Sequence, residues 1–179
     1  MKTLKLDNTV AVVTGGNGGI GLGIAKGLAD AGAQVVITGR DAAKNAAALK
    51  DLQALQPNCR AEICDVRDRT AIKRLFSHVR ETLGPVDILV NNAGIAIGAP
   101  PEAISEADWD AVLDTNLKSV FWCCQDAFED LQDQSVSGHP GKIINIASLY
   151  STFGGARVTS YSASKGGIVQ MTKALAVAW

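Results

Sequence analysis

The sequence is poor in histidine and has no C-x-x-C pair, and both shortages bear on metal binding. Its two histidines, His78 and His139, lie far apart in the chain. The cysteines are Cys59, Cys64, Cys123 and Cys124. Zinc sites need clustered cysteine and histidine ligands, so we expect no metal centre. Cysteines without such spacing are typical of reduced thiols in a reducing compartment.

The sequence also lacks an excess of one charge and a long apolar run. It has 17 basic and 18 acidic residues, which are mixed along the chain and leave a net charge of −1. This mixture includes no basic stripe of the kind that binds nucleic acid. No segment approaches membrane-spanning length, and Met1 to Asp7 lack the apolar run of a signal peptide. We therefore expect a cytoplasmic protein with neither nucleic acid nor membrane as a partner.

What the sequence does have is an alternation of short apolar runs with helical patterns. Runs such as Val10 to Thr14 are typical of strands that are buried on both faces of a parallel sheet. The predicted strands cover residues 10–14, 34–39, 60–64, 87–91 and 142–147. Strands that alternate with helices predict an α/β fold, with a doubly wound parallel sheet in a three-layer α/β/α arrangement.

A glycine-rich turn follows the first strand and opens the first helix. Its spacing is Gly15, three residues, Gly19, one residue and Gly21, with Asn17 and Gly18 in the middle. This is neither G-x-G-x-x-G nor a P-loop. Backbone N–H groups and a helix dipole at such a turn predict a phosphate cradle. The alternative is a turn that only packs the helix on the strand.

Arg40 follows the second strand, at the place where dinucleotide folds commonly carry an acidic residue for the ribose 2′-hydroxyl. A carboxylate would repel a 2′-phosphate, whereas an arginine can pair with it through two hydrogen bonds. The residue favours NADP over NAD as the cofactor. The alternative is a solvated loop cation, and the glycine turn offers no second cation.

The stretch that begins at Ser148 predicts redox chemistry on a hydroxyl group. Ser148 follows the fifth strand, and Tyr161 and Lys165 lie one helical turn apart on one face of the last helix. An ammonium beside a phenol favours the ionised phenol, which can then exchange a proton with an alcohol near neutral pH. The serine can hydrogen-bond the same oxygen. Such a site interconverts a hydroxyl and a carbonyl, and it needs a hydride carrier.

Two asparagine positions have structural alternatives. Asn91-Asn92-Ala93-Gly94 ends the fourth strand at the edge where ligands bind in open α/β sheets, although a plain strand-ending turn would look the same. Asn116 is the one polar residue in the apolar stripe of a helix that opens at Ser105 and whose pattern is regular throughout. A buried amide needs partners, so we expect Asn116 to be hydrogen-bonded to a specific group.

Together these motifs resemble the short-chain dehydrogenase/reductase family in order and approximate spacing, from about Asn8 to Trp179. The resemblance implies a single Rossmann domain over residues 1–179, with strand order 3-2-1-4-5. It implies a hydride transfer between NADP, or alternatively NAD, and a small-molecule alcohol or ketone. It also implies a homo-oligomer, in which the helices that begin near Ser105 and Thr159 pair across a dimer interface.

The resemblance also implies roles for the matching residues. Tyr161 would be the catalytic acid and base, and Lys165 would lower its pKa and bind the nicotinamide ribose. Ser148 would orient the substrate oxygen, and Asn116 would hold a water that links Lys165 to solvent. Asp65 would meet the adenine, unless it only caps the following helix. The implied cofactor contacts are Gly15, Asn17, Gly19, Ile20, Gly21, Arg40, Asp65, Val66, Asn91, Ala93, Gly94, Tyr161 and Lys165.

The sequence departs from the family in length, because family members run to about 250 residues. We therefore expect a C-terminally truncated member, in which the last two strands of the family are missing and the fifth strand is an apolar edge. Leu149, Tyr150, Phe153 and Arg157 would line part of a pocket for a sugar, a sugar acid, a small ketone or an acyl ketone. The alternative is a non-catalytic dinucleotide-binding module or an inactive fragment.

Overall fold

The sheet is parallel and five-stranded, with strand order β3-β2-β1-β4-β5, which confirms the predicted fold class. The computed structural model describes residues 5–136 and 140–179. Part of the N-terminal segment and of the polar loop before the fifth strand, including His139, lies outside these ranges. The strands are β1 Val10–Thr14, β2 Gln34–Gly39, β3 Arg60–Ile63, β4 Ile88–Asn91 and β5 Lys142–Asn145.

Helices cover both faces of the sheet. They are α1 Gly19–Asp30, α2 Ala42–Gln53, α3 Arg69–Thr82, α4 Glu106–Leu113, α5 Ser119–Val136 and α6 Thr159–Ala178. One apolar cluster packs the sheet against α1 and α2, and we call it the α1–α2 face. The other packs the sheet against α3, α5 and α6, and we call it the α3–α5 face. None of the helices in the described ranges is both long and apolar enough to cross a membrane.

The central strands are apolar because neither side of them meets water. Every residue of β1 and of β4 is buried, and Val12 lies in register with Val36 of β2 and Leu89 of β4. The sheet edges differ, since Ile63 of β3 is 67% exposed and Ile144 of β5 is 45% exposed. The apolar sequence of β5 therefore belongs to a half-exposed strand, as expected for an edge.

The helix predicted to run regularly from Ser105 contains a different turn. α4 ends at Leu113, a π turn spans Asp114–Lys118, and α5 continues from Ser119. The prediction of a regular helix was therefore wrong at this point. A π turn inserts one extra residue into the helix, and such turns are frequent at functional sites. This one contains Asn116, which is fully buried.

A parallel sheet brings the ends of all its strands to one edge, and the predicted site residues follow those ends. The glycine turn follows β1, Arg40 follows β2 and Asp65 follows β3. The segment 92–94 follows β4, and Ser148 follows β5. The fold thus places residues that are far apart in sequence around one opening.

We predict that Gly21→Ala destabilises the protein and that the nearby Gly23→Ala stabilises it. A Cβ atom on Gly21 would lie 2.3 Å from the carbonyl oxygen of Gly15 and 2.4 Å from Nδ2 of Asn92. Forcing a methyl group into such a contact costs about 1–3 kcal/mol. A Cβ atom on Gly23 meets nothing within 4 Å, and replacing an exposed helical glycine by alanine gains about 1 kcal/mol.

Urea denaturation midpoints of the two variants measure the difference directly. Because both substitutions add one methyl group to α1, their opposite signs isolate the close approach at Gly21. Equal midpoints would show that the glycine turn and α1 are not packed as described.

Candidate functional site

A groove of about 440 Å³ opens at the carboxyl edge of the sheet between β1 and β4. It is lined by residues at the end of β2, in the segments that follow β1, β2, β3 and β4, and in the π turn. They are Gly15, Asn17, Gly18, Ile20, Gly21, Thr38, Gly39, Arg40, Cys64, Asp65, Val66, Arg67, Asn92, Ala93, Gly94, Ile95 and Thr115. Most of the predicted cofactor contacts are in this set. Gly19, Asn91, Tyr161 and Lys165 are the predicted contacts that lie outside it.

The glycine turn forms one wall of the groove and approaches β4 closely. Gly15 has φ +63° and Gly19 has φ +51°, so both occupy the left-handed region. A Cβ atom on Gly15 would lie 3.0 Å from Cα of Ala93. Only glycine lets the backbone turn this sharply and come this near the opposite loop.

Asn92 joins the two walls of the groove, a role that the sequence reasoning missed. Its Nδ2 donates to the carbonyl oxygens of Thr14 and Gly15, at 3.0 and 3.1 Å. The backbone N–H groups of Asn92 and Ala93 donate to Oγ1 of Thr14, both at 3.1 Å. The sequence signal was an amide directly after a buried strand, which a plain turn also shows.

The N-terminus of α1 borders the groove and has no side-chain cap. Its N-cap residue is Gly18, which has no side chain to accept from them. In contrast, Asp41 caps α2 through Ala43 and Lys44, and Asp68 caps α3. The first turn of α1 also has no acidic residue. Uncapped N–H groups and the positive end of the helix dipole make this turn suitable for a phosphate group.

Asn17 is held at the other side of the glycine turn. Its Nδ2 donates to Oδ1 of Asn45 at 2.7 Å, and Asn45 is itself fixed by donating to the carbonyl oxygens of Gly39 and Glu62. A Cβ atom on Gly39 would lie 2.1 Å from Nδ2 of Asn17. Asn17 is therefore positioned by β2 and α2, next to the residue that precedes Arg40.

The end of the groove beside β2 and β3 is charged. Arg40 is exposed there, and the carboxylate of Asp65 accepts from the guanidinium of Arg67 at 2.7 to 3.2 Å. The hydrogen bonds from Arg67 and the charge of Arg40 lower the pKa of Asp65, against the effect of burial. Sequence reasoning placed Arg40 and Asp65 here but missed Arg67. The glycine turn itself offers no second cation, as the sequence predicts, and the second cation comes from the loop after β3.

Lys165 lies where the groove meets α6. A Cβ atom on Gly94 would be 3.7 Å from Nζ of Lys165 and 3.2 Å from Oδ1 of Asn116. Lys165 is only 4% exposed, and its Nζ donates to the carbonyl oxygen of Ile146 at 2.6 Å. Burial lowers the pKa of Lys165 because removal from water penalises the ammonium form.

Tyr161 lies beside Lys165, and Ser148 precedes a turn that packs against the same helix. Nζ of Lys165 is 5.8 Å from the ring centroid of Tyr161, whose edge faces Tyr150 with the two centroids 6.1 Å apart. Ser148 caps the 3₁₀ turn Leu149–Ser151, with its Oγ accepting from the N–H of Tyr150. That turn packs against α6 and so brings Ser148 to the helix that carries Tyr161 and Lys165.

Asn116 has the specific partners that the sequence predicts. Its Oδ1 accepts from the N–H of Ile95, and its Nδ2 donates to the carbonyl oxygen of Ile95, each at 2.8 Å. The same Nδ2 donates to Oγ of Ser164 at 3.1 Å, and Ser164 donates to the carbonyl oxygen of Tyr161. Asn116 thus connects the loop after β4 with the helix of Tyr161 and Lys165.

Asn91 is placed differently from its neighbours in the 91–94 motif. It is 2% exposed, and its Nδ2 donates to Oδ1 of Asn145 at 2.9 Å and contacts Sγ of Cys124. The side chain therefore links β4 to β5 inside the protein. The predicted cofactor contact of Asn91 has no support from this placement.

The cysteines are free thiols inside the core. All four are buried. Burial raises the pKa of Cys64 to about 11 and that of Cys124 to about 12, and it raises the pKa values of Cys59 and Cys123 as well. Thiolates are the reactive form of cysteine, so these side chains act in packing at neutral pH.

Comparison with known proteins gives a consistent match over nearly the whole chain. Residues 9–179 match a family model described as short chain dehydrogenase. The chain is 37% identical over 175 residues to gluconate 5-dehydrogenase of Gluconobacter oxydans (strain 621H), covering 98% of this chain and 67% of that protein. It is 39% identical over 179 residues to 2-dehydro-3-deoxy-D-gluconate 5-dehydrogenase of Escherichia coli (strain K12), covering 100% and 69%.

A solved structure has the same architecture. The Pseudomonas aeruginosa RhlG/NADP active-site complex superposes with a TM-score of 0.91 at 35% identity, covering 98% of this chain and 68% of that chain. At 35% identity and a TM-score of 0.91, the two proteins share a common ancestry as well as a fold. The chain spans about two thirds of the length of these relatives.

We predict that Lys165→Met stabilises the protein near pH 7 and that this advantage shrinks as the pH rises to 10. The folded-state pKa of Lys165 lies below its unfolded value of 10.5. The charged lysine therefore opposes folding below the folded-state pKa, and the penalty disappears as the pH rises through both values. Methionine keeps most of the aliphatic stem without the charge, and each ~1 kcal/mol gained raises Tm by about 2–4 °C.

Thermal unfolding of both proteins from pH 7 to pH 10 tests this. Lys118→Met, at an exposed lysine that pairs with Asp114, is the matched control and should show no comparable gain. A Tm difference between Lys165→Met and the wild type that grows with pH would contradict the sign of the pKa shift.

Proposed function

The chain belongs to the short-chain dehydrogenase family, and from this premise we propose that it transfers a hydride between NADP(H) and an alcohol or ketone. The observation that carries the proposal is the junction at Gly94. There the groove that suits a dinucleotide meets Lys165 and Asn116, whose polar atoms lie 3.7 and 3.2 Å from the point that a Cβ atom on Gly94 would occupy. Phosphate binding and proton transfer would thereby share one continuous site.

The groove fits a nicotinamide dinucleotide by the chemistry of its lining. The uncapped N-terminus of α1 would hold the pyrophosphate, and the left-handed Gly15 leaves room for close backbone approach. Oγ1 of Thr38 is buried in the groove wall and has no hydrogen-bond partner in the described residues. Asp65 and Val66 would meet the adenine, and Ala93 and Gly94 the adenosine ribose.

Arg40 supports NADP as the cofactor, with NAD as the alternative. It lines the groove after β2, where the ribose 2′ position falls in dinucleotide folds. A guanidinium can bind a phosphate through two parallel hydrogen bonds. The related structure of RhlG holds NADP in its active site.

The chain's own residues would handle the proton and the substrate oxygen. When bound, the nicotinamide supplies or accepts the hydride. Tyr161 would donate a proton to the carbonyl oxygen in reduction and remove one from the hydroxyl in oxidation, and Ser148 would orient that oxygen. Lys165 would supply positive charge beside the phenol and bind the nicotinamide ribose. Asn116 would hold the proton-relay water through an arrangement that Ser164 and Ile95 keep rigid.

For the substrate we propose a sugar acid. Two relatives are dehydrogenases named for gluconate and a dehydro-deoxy-gluconate. The loop after Ser148 is open, with Leu149 77% exposed and Phe153 64% exposed. Arg157 is exposed in the same loop and would offer a cation to a carboxylate.

We further propose a cytoplasmic homo-oligomer. The buried free thiols are suited to a reducing compartment. Trp109 of α4 is 39% exposed and Phe121 of α5 is 40% exposed. Both lie on the helical segment that begins near Ser105, where the family resemblance implies a dimer interface.

A dinucleotide-binding module without catalysis is the second candidate. It would use the groove and leave Ser148, Tyr161 and Lys165 without a chemical role. The two candidates separate in an experiment that measures binding and turnover on the same protein.

We predict that Tyr161→Phe keeps NADPH binding and lowers turnover by about 10²–10⁴-fold, the range of general acid–base catalysis. NADPH fluorescence titration measures binding, and NADP-dependent oxidation of D-gluconate and related sugar acids measures turnover. Tyr150→Phe is the comparison variant, because it removes the hydroxyl of the ring that lies 6.1 Å from that of Tyr161. It should keep NADPH binding and lose far less turnover than Tyr161→Phe.

Each outcome has a distinct meaning. Full turnover by Tyr161→Phe would remove the proposed proton transfer. A wild-type chain that binds NADPH and oxidises none of these substrates would favour the binding module. A chain that binds neither NADPH nor NADH would overturn the proposed use of the groove.

A further inference from the structure

The side chains of Asp65 and Arg67 form a paired unit in the wall of the groove. Nε of Arg67 donates to both carboxylate oxygens of Asp65, and Nη2 donates to Oδ2 at 2.7 Å. Both residues line the groove, together with Arg40. The side chains are 43% exposed for Arg67 and 32% for Asp65, so a ligand in the groove would meet both of them.

The backbone holds Asp65 in place independently of the guanidinium. Oδ1 of Asp65 accepts from the N–H of Arg67 at 3.0 Å, and its carbonyl oxygen accepts from the N–H of Asp68 at 3.0 Å. Neither bond uses the guanidinium, so we expect the turn to stay closed when the Arg67 side-chain charge is removed. The three hydrogen bonds from the guanidinium neutralise the charge of the Asp65 carboxylate in a turn that the backbone bonds already close.

The three charges at this end of the groove sum to a definite sign. Among the residues that line the groove, Arg40 contributes one positive charge, Asp65 one negative and Arg67 one positive, which gives the lining a net charge of +1. Asp114, whose charge also acts on Arg67, lies outside this lining. Without Arg67 the sum would be zero, because the carboxylate would offset Arg40. The charge of Arg40 also acts on Asp65, where it contributes to the lowered pKa of that carboxyl.

We propose that Arg67 sets the cofactor preference by neutralising Asp65, so that a ribose 2′-phosphate meets the net positive charge of Arg40. This rests on the proposed use of the groove for a dinucleotide. Each charge acts on an anion in the groove according to its distance, and Arg40, Asp65 and Arg67 are the charged residues that line this groove. Asp65 can then contact the adenine without repelling the 2′-phosphate, because the guanidinium of Arg67 neutralises the charge of its carboxylate.

The pair of ligands 2′,5′-ADP and 5′-AMP isolates the 2′-phosphate. They differ only in that group, so the ratio of their Kd values cancels every contact to the adenine and the 5′-phosphate. We propose to measure both Kd values by calorimetry on the 179-residue chain. The proteins are the wild type, Arg67→Gln, Asp65→Asn and the double variant. Asparagine keeps the Oδ1 that accepts from the N–H of Arg67.

Charge counting predicts the order of the four ratios. Arg67→Gln brings the sum to zero and should weaken the preference for 2′,5′-ADP by about three- to tenfold, the effect of one screened charge a few ångströms away. Asp65→Asn brings the sum to +2 and should strengthen the preference by a similar factor. The double variant returns the sum to +1 and should recover the wild-type ratio.

The control is a second ion pair of similar length outside the groove. Nζ of Lys26 lies 2.8 Å from Oδ2 of Asp51, and both side chains are exposed. Lys26→Gln should leave the ratio of Kd values unchanged. The ratios of Kd values of the wild type, the two single groove variants and the double variant should also converge at about 0.5 M NaCl, because salt screens exposed charges.

Three results would overturn the proposal. A double variant that stays as weak as Arg67→Gln would mean that Arg67 contacts the phosphate itself. An Arg67→Gln ratio equal to that of the wild type would mean that the pair serves only the turn. If the wild type binds neither ligand, both the inference and the proposed dinucleotide site fail. If the wild type prefers one ligand and Arg67→Gln keeps the same ratio of Kd values, only the inference fails.

Discussion

The hydrogen bonds of Asn92 hold together the two loops between which the groove opens. Its amide spans from the end of β4 to the backbone of Thr14 and Gly15, while Oγ1 of Thr14 accepts two bonds from the opposite loop. The glycine turn can come this close only because Gly15 and Gly21 lack a Cβ atom. The width of the groove and the direction of α1 both depend on this junction.

A second junction connects the groove to α6. The π turn Asp114–Lys118 contains Asn116, whose amide reaches Ile95 on one side and Ser164 on the other. An α-helical turn would change the angular position of Asn116 by one residue's rotation. The π turn therefore sets the position of the loop after β4 relative to Lys165. No single strand or regular helix sets that position by itself.

The sequence predicts the fold well because its signals are local. The apolar runs of β1 and β2 fall at the observed strand bounds, since strands buried on both faces must be apolar along their length. Proximity in the folded chain is harder to predict. Asn91 and Asn92 are adjacent amides, yet one links β4 to β5 inside the protein and the other closes the groove. The same holds for the ion pair of Arg67 with Asp65 and for the π turn. Both depend on contacts in the folded protein, which the spacing of residues in the sequence does not predict.

The buried thiols give the protein two internal reporters of local opening. Cys59 packs in the α1–α2 face, whereas Cys64, Cys123 and Cys124 pack in the α3–α5 face. Cys64 also lines the groove. A thiol reagent reaches Cys59 when α1 and α2 separate from the sheet, and it reaches Cys123 and Cys124 when α3, α5 and α6 do. The rates of labelling would therefore resolve the motions of the two layers within a single experiment. Each side of the sheet thus has its own buried cysteine whose labelling rate reports the opening of that layer.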